Sequence, residues 1–423
     1  MQPSISAQAS PTTGLGSPWT WKTFLAVVGP GLVVMLADTD VGSIITAAQS
    51  GVQWGYKLLL LQLLLMPVLF VVQELTVRLG IFTGKGHGEL IRETFGPVWA
   101  WVSVSGLGIA TVGALLTEFS GVAGVGELYG VPRWLSLGIS AIFLLAVVLT
   151  GTYRRVERVA IALGLFEFAF FIVAYEAHPD GIELAHGLVH APLANGNYLY
   201  LVAANIGAVI MPWMVFYQQS AVADKKLKPH HYRYARLDTA VGSILAQAVM
   251  AAILIAAAAT IGKTNTHATL NTVGDIANAL TPLLGPNVGR FIFGLGTIGA
   301  AMVAAIVVSL ASAWGFGEVT NYKHSLEYRP FEAPWFYGIF TLAVVGGAIA
   351  VGVSPNLVAL NIAVEVMNAL MLPVVLGFLV LLAMKALPPE HRIRGVYAWI
   401  VVGVSVITAS LGVYGGIMGA ISP

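Results

Sequence analysis

Apolar runs of about 18 or more residues recur from Trp21 almost to the C-terminus, and that repetition decides the solvent of this chain. A hydrocarbon core about 30 Å thick is crossed by roughly 20 helical residues. Within it the chain must satisfy every backbone N–H and C=O itself, which leaves helices or closed barrels. Runs this long and this uniformly apolar are helices. Eleven spans fall at about 23–48, 56–79, 97–128, 133–151, 157–176, 196–222, 237–261, 287–317, 334–353, 356–385 and 395–419. Composition agrees, with 57% of residues hydrophobic and 10% charged, where soluble domains carry roughly 25% charged. The expected fold is an all-α polytopic membrane protein whose main partner is the lipid bilayer.

Other classes fall away quickly. Residues 1–20 are rich in Ser, Pro, Thr and Gly and lack a basic leader, so they read as a disordered cytoplasmic tail and not as a signal peptide. The absence of cysteine excludes disulfides, thiolate metal sites and cysteine nucleophiles. A net charge of +1 provides no basic face for nucleic acid. There is no P-loop, no nucleophile–base arrangement and no zinc-type histidine spacing, so neither an enzyme nor a resident cofactor is expected.

Basic residues set the topology. The loops after even-numbered spans concentrate Lys and Arg, from Lys85 and Arg92 through Arg154, Arg155 and Arg158 to Arg392 and Arg394, whereas the opposite loops carry chiefly Lys57, Arg133 and Lys263. The positive-inside rule then puts the N-terminus in the cytoplasm and the C-terminus outside, in what is expected to be a bacterial inner membrane. The first and sixth spans each carry helix-interrupting chemistry near their middles, and they lie five spans apart. An odd number of crossings per unit gives two units of opposite orientation. The chain therefore reads as a 5+5 inverted repeat, at about 21–176 and 196–385, with an extra helix at about 395–419. Interrupted helices at matching places in two such halves mark a transporter's binding site.

In the sixth span the sequence is Gly207-Ala208-Val209-Ile210-Met211-Pro212, with Gly207 and Pro212 as the expected helix breaks. Pro212 has no N–H, so the carbonyl of Ala208 loses its helical partner, and an orphan carbonyl in hydrocarbon costs several kcal/mol. A bound cation satisfies it, and Met211 beside it offers a thioether suited to transition metals. A proline kink satisfied by water, with Met211 as core filler, is the plainer reading. In the first span, Asp38-Thr39-Asp40-Val41-Gly42-Ser43 brings two carboxylates to mid-membrane, where even a low scale charges about 2.5–3.5 kcal/mol for each. Gly42 permits unwinding and Ser43 adds a hydroxyl. Residues 38 and 40 lie about 200° apart on an intact helix, so one ligand, Asp40, is expected. One of the two acids is also placed to cap the second half-helix, and capping does not preclude ligation.

At these residues the chain resembles the Nramp family of divalent-metal transporters. The family pattern, D-P-G-N followed by G-A-x-x-M-P-H, is matched by Asp40-Val41-Gly42-Ser43 and by Gly207 to Trp213. The stretches Gly51 to Tyr56, Arg78 to Lys85 and Tyr153 to Arg158 are similar too, and the likeness covers about residues 21–390. The resemblance implies a leucine-transporter-type fold with broken first and sixth spans. It also implies a metal cargo such as Mn2+, held by Asp40, Ser43, the Ala208 carbonyl and Met211, with protons as the family's co-substrate. Met211 stands at the position credited with favouring manganese and iron over calcium and magnesium. Three departures stand out: Val41 replaces the proline, Ser43 the asparagine and Trp213 the histidine. In the third span Leu115 stands where an aspartate is usual, although Glu118 is kept. Trp213 and Leu115 interrupt the family's proton route. A related magnesium-transporting branch shares such a weakened route, so a Mg2+ transporter with little or no proton coupling is the alternative. An amino-acid transporter on the same fold is the other, opposed by two acids that would repel a substrate carboxylate.

The remaining intramembrane acids read as follows. Glu74, Glu127, Glu167 and Glu176 are expected near the interfaces, as snorkelling or belt residues. Asp38, Glu118, Glu365 and Asn368 are candidates for proton-handling or supporting roles. Glu365 and Asn368 share a helix face. His178, His186, His190, His230 and His231 sit in polar loops and read as solvated.

Overall fold

The computed structural model describes residues 20–264, 270, 272–280, 285–354 and 358–421. The tail expected over residues 1–20 lies, but for Thr20, outside them. Helices run in the order α1 Trp21–Val27, α2 Pro30–Asp38, α3 Val41–Trp54, α4 Leu59–Thr83, α5 His87–Phe95, α6 Pro97–Leu128, α7 Arg133–Thr150, α8 Tyr153–Gly164, α9 Ala169–Glu176 and α10 Gly181–Val189. The second half follows with α11 Gly196–Val209, α12 Pro212–Asp224, α13 Tyr232–Ala259, α14 Ile261–Thr264, α15 Val273–Leu280, α16 Pro286–Thr320, α17 Pro334–Val353, α18 Val358–Lys385 and α19 Gly395–Ile421. Among the described residues ten helical stretches are long and apolar enough to cross a membrane, and the bent pair α1–α2 raises the number to 11.

The first span is interrupted twice. The sequence reading anticipated only the break after Asp38. A second, of 53°, separates α1 from α2, because Gly29 adopts φ +149°, where side chains are strained, and Pro30 begins the next helix. Both sides of this bend are held. Lys225 Nζ donates to the carbonyls of Val27 (3.1 Å) and Val28 (2.9 Å) at the end of α1, and pairs with Glu157 at 2.7 Å. The Asp238 carboxylate accepts the N–H groups of Gly29, Gly31 and Leu32 at 3.1, 2.8 and 3.2 Å. A cation therefore meets the C-terminal end of one helix and an anion the N-terminal end of the next, each complementing its dipole.

Lipid cannot drive helices together by hydrophobic burial, so close approach and polar bonds do that work. The extra helix α19 shows the first device. Gly415 and Gly419 lie so close to Leu199 and Tyr200 of α11 that a Cβ at either would collide with them. The second device corrects a sequence expectation. Glu74 is not interfacial but buried, bonded by Arg78 (2.8 Å), Tyr397 (2.7 Å) and Tyr232, and it ties α4 to α13 and α19. Glu127 is an exposed partner of Arg133 at 2.8 Å.

Candidate metal site

The two breaks face each other. In the first span the helix stops at Asp38, Thr39 leaves helical geometry (φ −80°, ψ 42°) and Asp40 becomes the N-cap of α3. In the sixth, α11 ends at Val209, Ile210 leaves helical geometry (φ −128°, ψ 88°), Met211 is extended, and Pro212 opens α12. Gly42 and Gly207, expected as the places where the backbone unwinds, lie instead inside helical turns. Their role is clearance. A Cβ on Gly42 would collide with the Glu365 carboxyl, and one on Gly207 with the Glu365 carbonyl, so the lack of a side chain lets α18 pass against both broken spans at once. The unwinding falls where acid, threonine and proline chemistry offers the backbone an alternative to helix.

Asp40 Oδ1 accepts the Ser43 N–H at 2.7 Å, an N-cap bond, while its Oδ2 is buried without a partner. Ser43 Oγ donates to the Ala208 carbonyl at 3.0 Å. The carbonyl that Pro212 was expected to orphan is thus satisfied by the other broken span, which places Asp40, Ser43 and Ala208 in one locus. Met211 enters from the same break as N-cap of α12 and is fully buried. Every one of these residues is 0–1% exposed, so the locus is closed from both sides.

Further carboxyls are buried around the two breaks. Glu118 Oε2 accepts the Val41 N–H at 3.3 Å and its Oε1 is unpartnered. Glu365 accepts the Asn368 amide at 3.0 Å. Asp38 Oδ2 receives Gln247 Nε2 at 3.5 Å. Glu167, expected at an interface, is buried and accepts the Thr39 hydroxyl at the break itself; its place midway along the span at 157–176 was the available signal. None of the ion pairs among the described residues involves these five acids. Among the described residues no three His, Asp or Glu side chains form a metal cluster. A cation seated here would therefore depend on Ser43, the Ala208 carbonyl and Met211 as well as on Asp40. Trp213 and Leu115, which stand in the proton-route positions of the resemblance, are both buried, and the Trp213 Nε1 has no partner.

The family model described as natural resistance-associated macrophage protein-like, Nramp, matches residues 31–417. The chain belongs to the Nramp family. This Nramp protein is 32% identical over 300 residues to a Yersinia pestis protein named divalent metal cation transporter MntH, covering 69% of this chain and 72% of that one. The Eremococcus coleocola manganese transporter superposes with a TM-score of 0.73 at 19% identity, over 95% of this chain and 90% of that one. Mhp1, a nucleobase-cation-symport-1 family transporter in a closed conformation, superposes at 0.61 with 14% identity, over 93% and 90%. At such identities the structures speak for the fold alone. That fold is the leucine-transporter type, with two inverted five-span units and one helix more.

Proposed function

We infer that this Nramp protein moves a divalent metal cation across the membrane by alternating access, and that Mn2+ or a similar transition metal is its cargo. The observation that carries the reading is the meeting of the two breaks. Asp40 offers an unpartnered buried oxygen beside the Ser43–Ala208 bond, and no ion pair among the described residues neutralises the acids around it. An isolated buried carboxylate is costly, and a divalent cation bonded to it removes that cost. The Met211 thioether supports a transition metal over magnesium or calcium, which take oxygen alone. The name of the Yersinia relative supports the divalent cargo, and the manganese transporter of the same fold supports the metal.

The rest of the cycle follows from the same geometry. A locus sealed on both sides is the intermediate that alternating access requires, with rocking of one five-span unit against the other opening each side in turn. With Trp213 and Leu115 unable to titrate, proton movement with the metal is weak or absent. The basic loops support an N-terminus in the cytoplasm of a bacterium and a C-terminus outside.

Calorimetry on purified protein tests the site. Asp40→Asn is expected to abolish Mn2+ binding while leaving expression and the thermal midpoint near those of the unmodified protein, because Asn keeps the cap and loses the charge. Binding that survives Asp40→Asn but not Asp38→Asn would assign the cargo to the other carboxylate.

A further inference from the structure

The first break also carries unused oxygens on residues other than Asp40. Glu167 lies on the 3-10 turn Leu165–Phe168 that interrupts the fifth span, and beyond its bond from Thr39 its Oε1 is buried without a partner. Gln247, midway along α13, brings its amide nitrogen to 3.5 Å from Asp38 Oδ2, and its Oε1 is likewise buried and unpartnered. So is Asp38 Oδ1. Three oxygens from α2, α13 and the Leu165–Phe168 turn are therefore idle on side chains that are 0–1% exposed and that belong to, or are hydrogen-bonded to, residues 38 and 39. No ion pair among the described residues relieves Asp38 or Glu167. The cargo locus, by contrast, begins at Asp40 and runs through Ser43 to α11.

Two buried carboxylates without a compensating charge call for a cation. The donors are carboxylate, amide and hydroxyl oxygens, with no thioether or imidazole, which selects a hard ion. Four such side chains fall short of the about six to eight oxygens that calcium takes, and magnesium keeps several waters that so enclosed a set of donors does not provide for, which leaves sodium as the hard ion to test. The Thr39 hydroxyl has a second acceptor in the Leu36 carbonyl at 2.9 Å, so its proton can turn there and leave the oxygen lone pairs to an ion. We propose that Asp38, Glu167, Gln247 and the Thr39 hydroxyl form a second cation site, separate from the cargo site, that takes a sodium ion and ties the unwound segment of the first span to the fifth and seventh spans. The proposal rests on the transporter reading only for its use as a coupling or gating ion; the site itself stands on its own donors.

The test uses full-length purified protein and 22Na+, with binding followed by scintillation proximity in choline buffer of constant ionic strength. Saturable binding, displaced by unlabelled Na+ and not by choline, is expected. Glu167→Gln and Gln247→Leu should each weaken it by at least about tenfold, since the first removes the negative charge of a ligand and the second removes an amide oxygen. Asp40→Asn should leave it within about twofold. In sodium-free buffer, Mn2+ calorimetry should show the opposite pattern, lost in Asp40→Asn and kept in Gln247→Leu, with thermal midpoints in choline separating lost ligands from lost fold. Absence of saturable 22Na+ binding by the unmodified protein overturns the site, and the sodium-free Mn2+ measurement still reports on the cargo reading. Sodium binding abolished by Asp40→Asn and spared by Glu167→Gln overturns its separateness.

Discussion

Asp40 combines two tasks because its two carboxylate oxygens have different surroundings: Oδ1 caps α3 through Ser43, and Oδ2 is free for a cation. The sequence already contained both roles, since an acid at the start of a half-helix reads as a cap and an acid at mid-membrane reads as a ligand. Met211 is separable from it. Met211→Ala removes the one soft donor and none of the hard ones, so affinity for Cd2+ should fall by about tenfold or more while that for Mg2+ changes by less than about twofold, measured by competition. Unchanged Cd2+ affinity would mean that the sulfur does not touch the ion. Glu167 and Glu74 were the acids misplaced by sequence reasoning, for a physical reason. Position along a span gives depth, but only packing tells whether a side chain turns toward lipid, a helix end or a neighbouring span. Gln247 escaped notice for the same reason, being a neutral residue in an apolar run whose partner, Asp38, lies on another element.

At the scale of elements, the existence of the breaks was legible and their exact residues were not. Glycine invites the inference of unwinding, yet Gly42 and Gly207 are helical, and their contribution is the near contact of α18 with two spans. That contact is a tertiary fact which no local pattern contains. The Gly29–Pro30 bend, in contrast, was present in the sequence as a glycine followed by a helix-opening proline, and it passed unremarked because the surrounding run is uniformly apolar. The short helix α5 docks beside the sixth span through His87, whose Nδ1 lies 2.9 Å from Gln219 Oε1 and whose ring meets Phe216 edge-on. Burial pushes the His87 imidazole down from its ordinary value near 6.5 to about 4, against the opposing effect of the Gln219 bond. The fold thus favours the neutral ring. Its contribution, up to about 3 kcal/mol, is fully present above about pH 6.5 and is lost as pH falls through about 4. The thermal midpoint in detergent should decline over that window in the unmodified protein, and His87→Gln should flatten the decline. An equal decline in both proteins would assign the pH dependence to other groups.

For the whole molecule, the deciding balance is electrostatic. Asp38, Asp40, Glu118, Glu167 and Glu365 are all buried around two helix breaks, and among the described residues none takes part in an ion pair. Such an interior is suited to cations and hostile to a substrate carboxylate. A proton relay needs titratable groups in continuous reach, and Leu115 and Trp213 interrupt the route that the family resemblance implies. Metal influx into liposomes is therefore expected to bring little or no acidification, as recorded by an internal pH dye, and Trp213→His alone should not restore it because Leu115 remains. Robust metal-driven acidification by the unmodified protein would return it to an ordinary proton-coupled mechanism through the remaining acids. The claim on which all of this rests is that the cargo sits between the two breaks. Anomalous diffraction from crystals soaked in Mn2+ addresses it directly. The expected result is one dominant manganese peak within bonding reach of Asp40 Oδ2 and the Ala208 carbonyl; a dominant peak at Asp38 and Glu167, or none near either break, would contradict it.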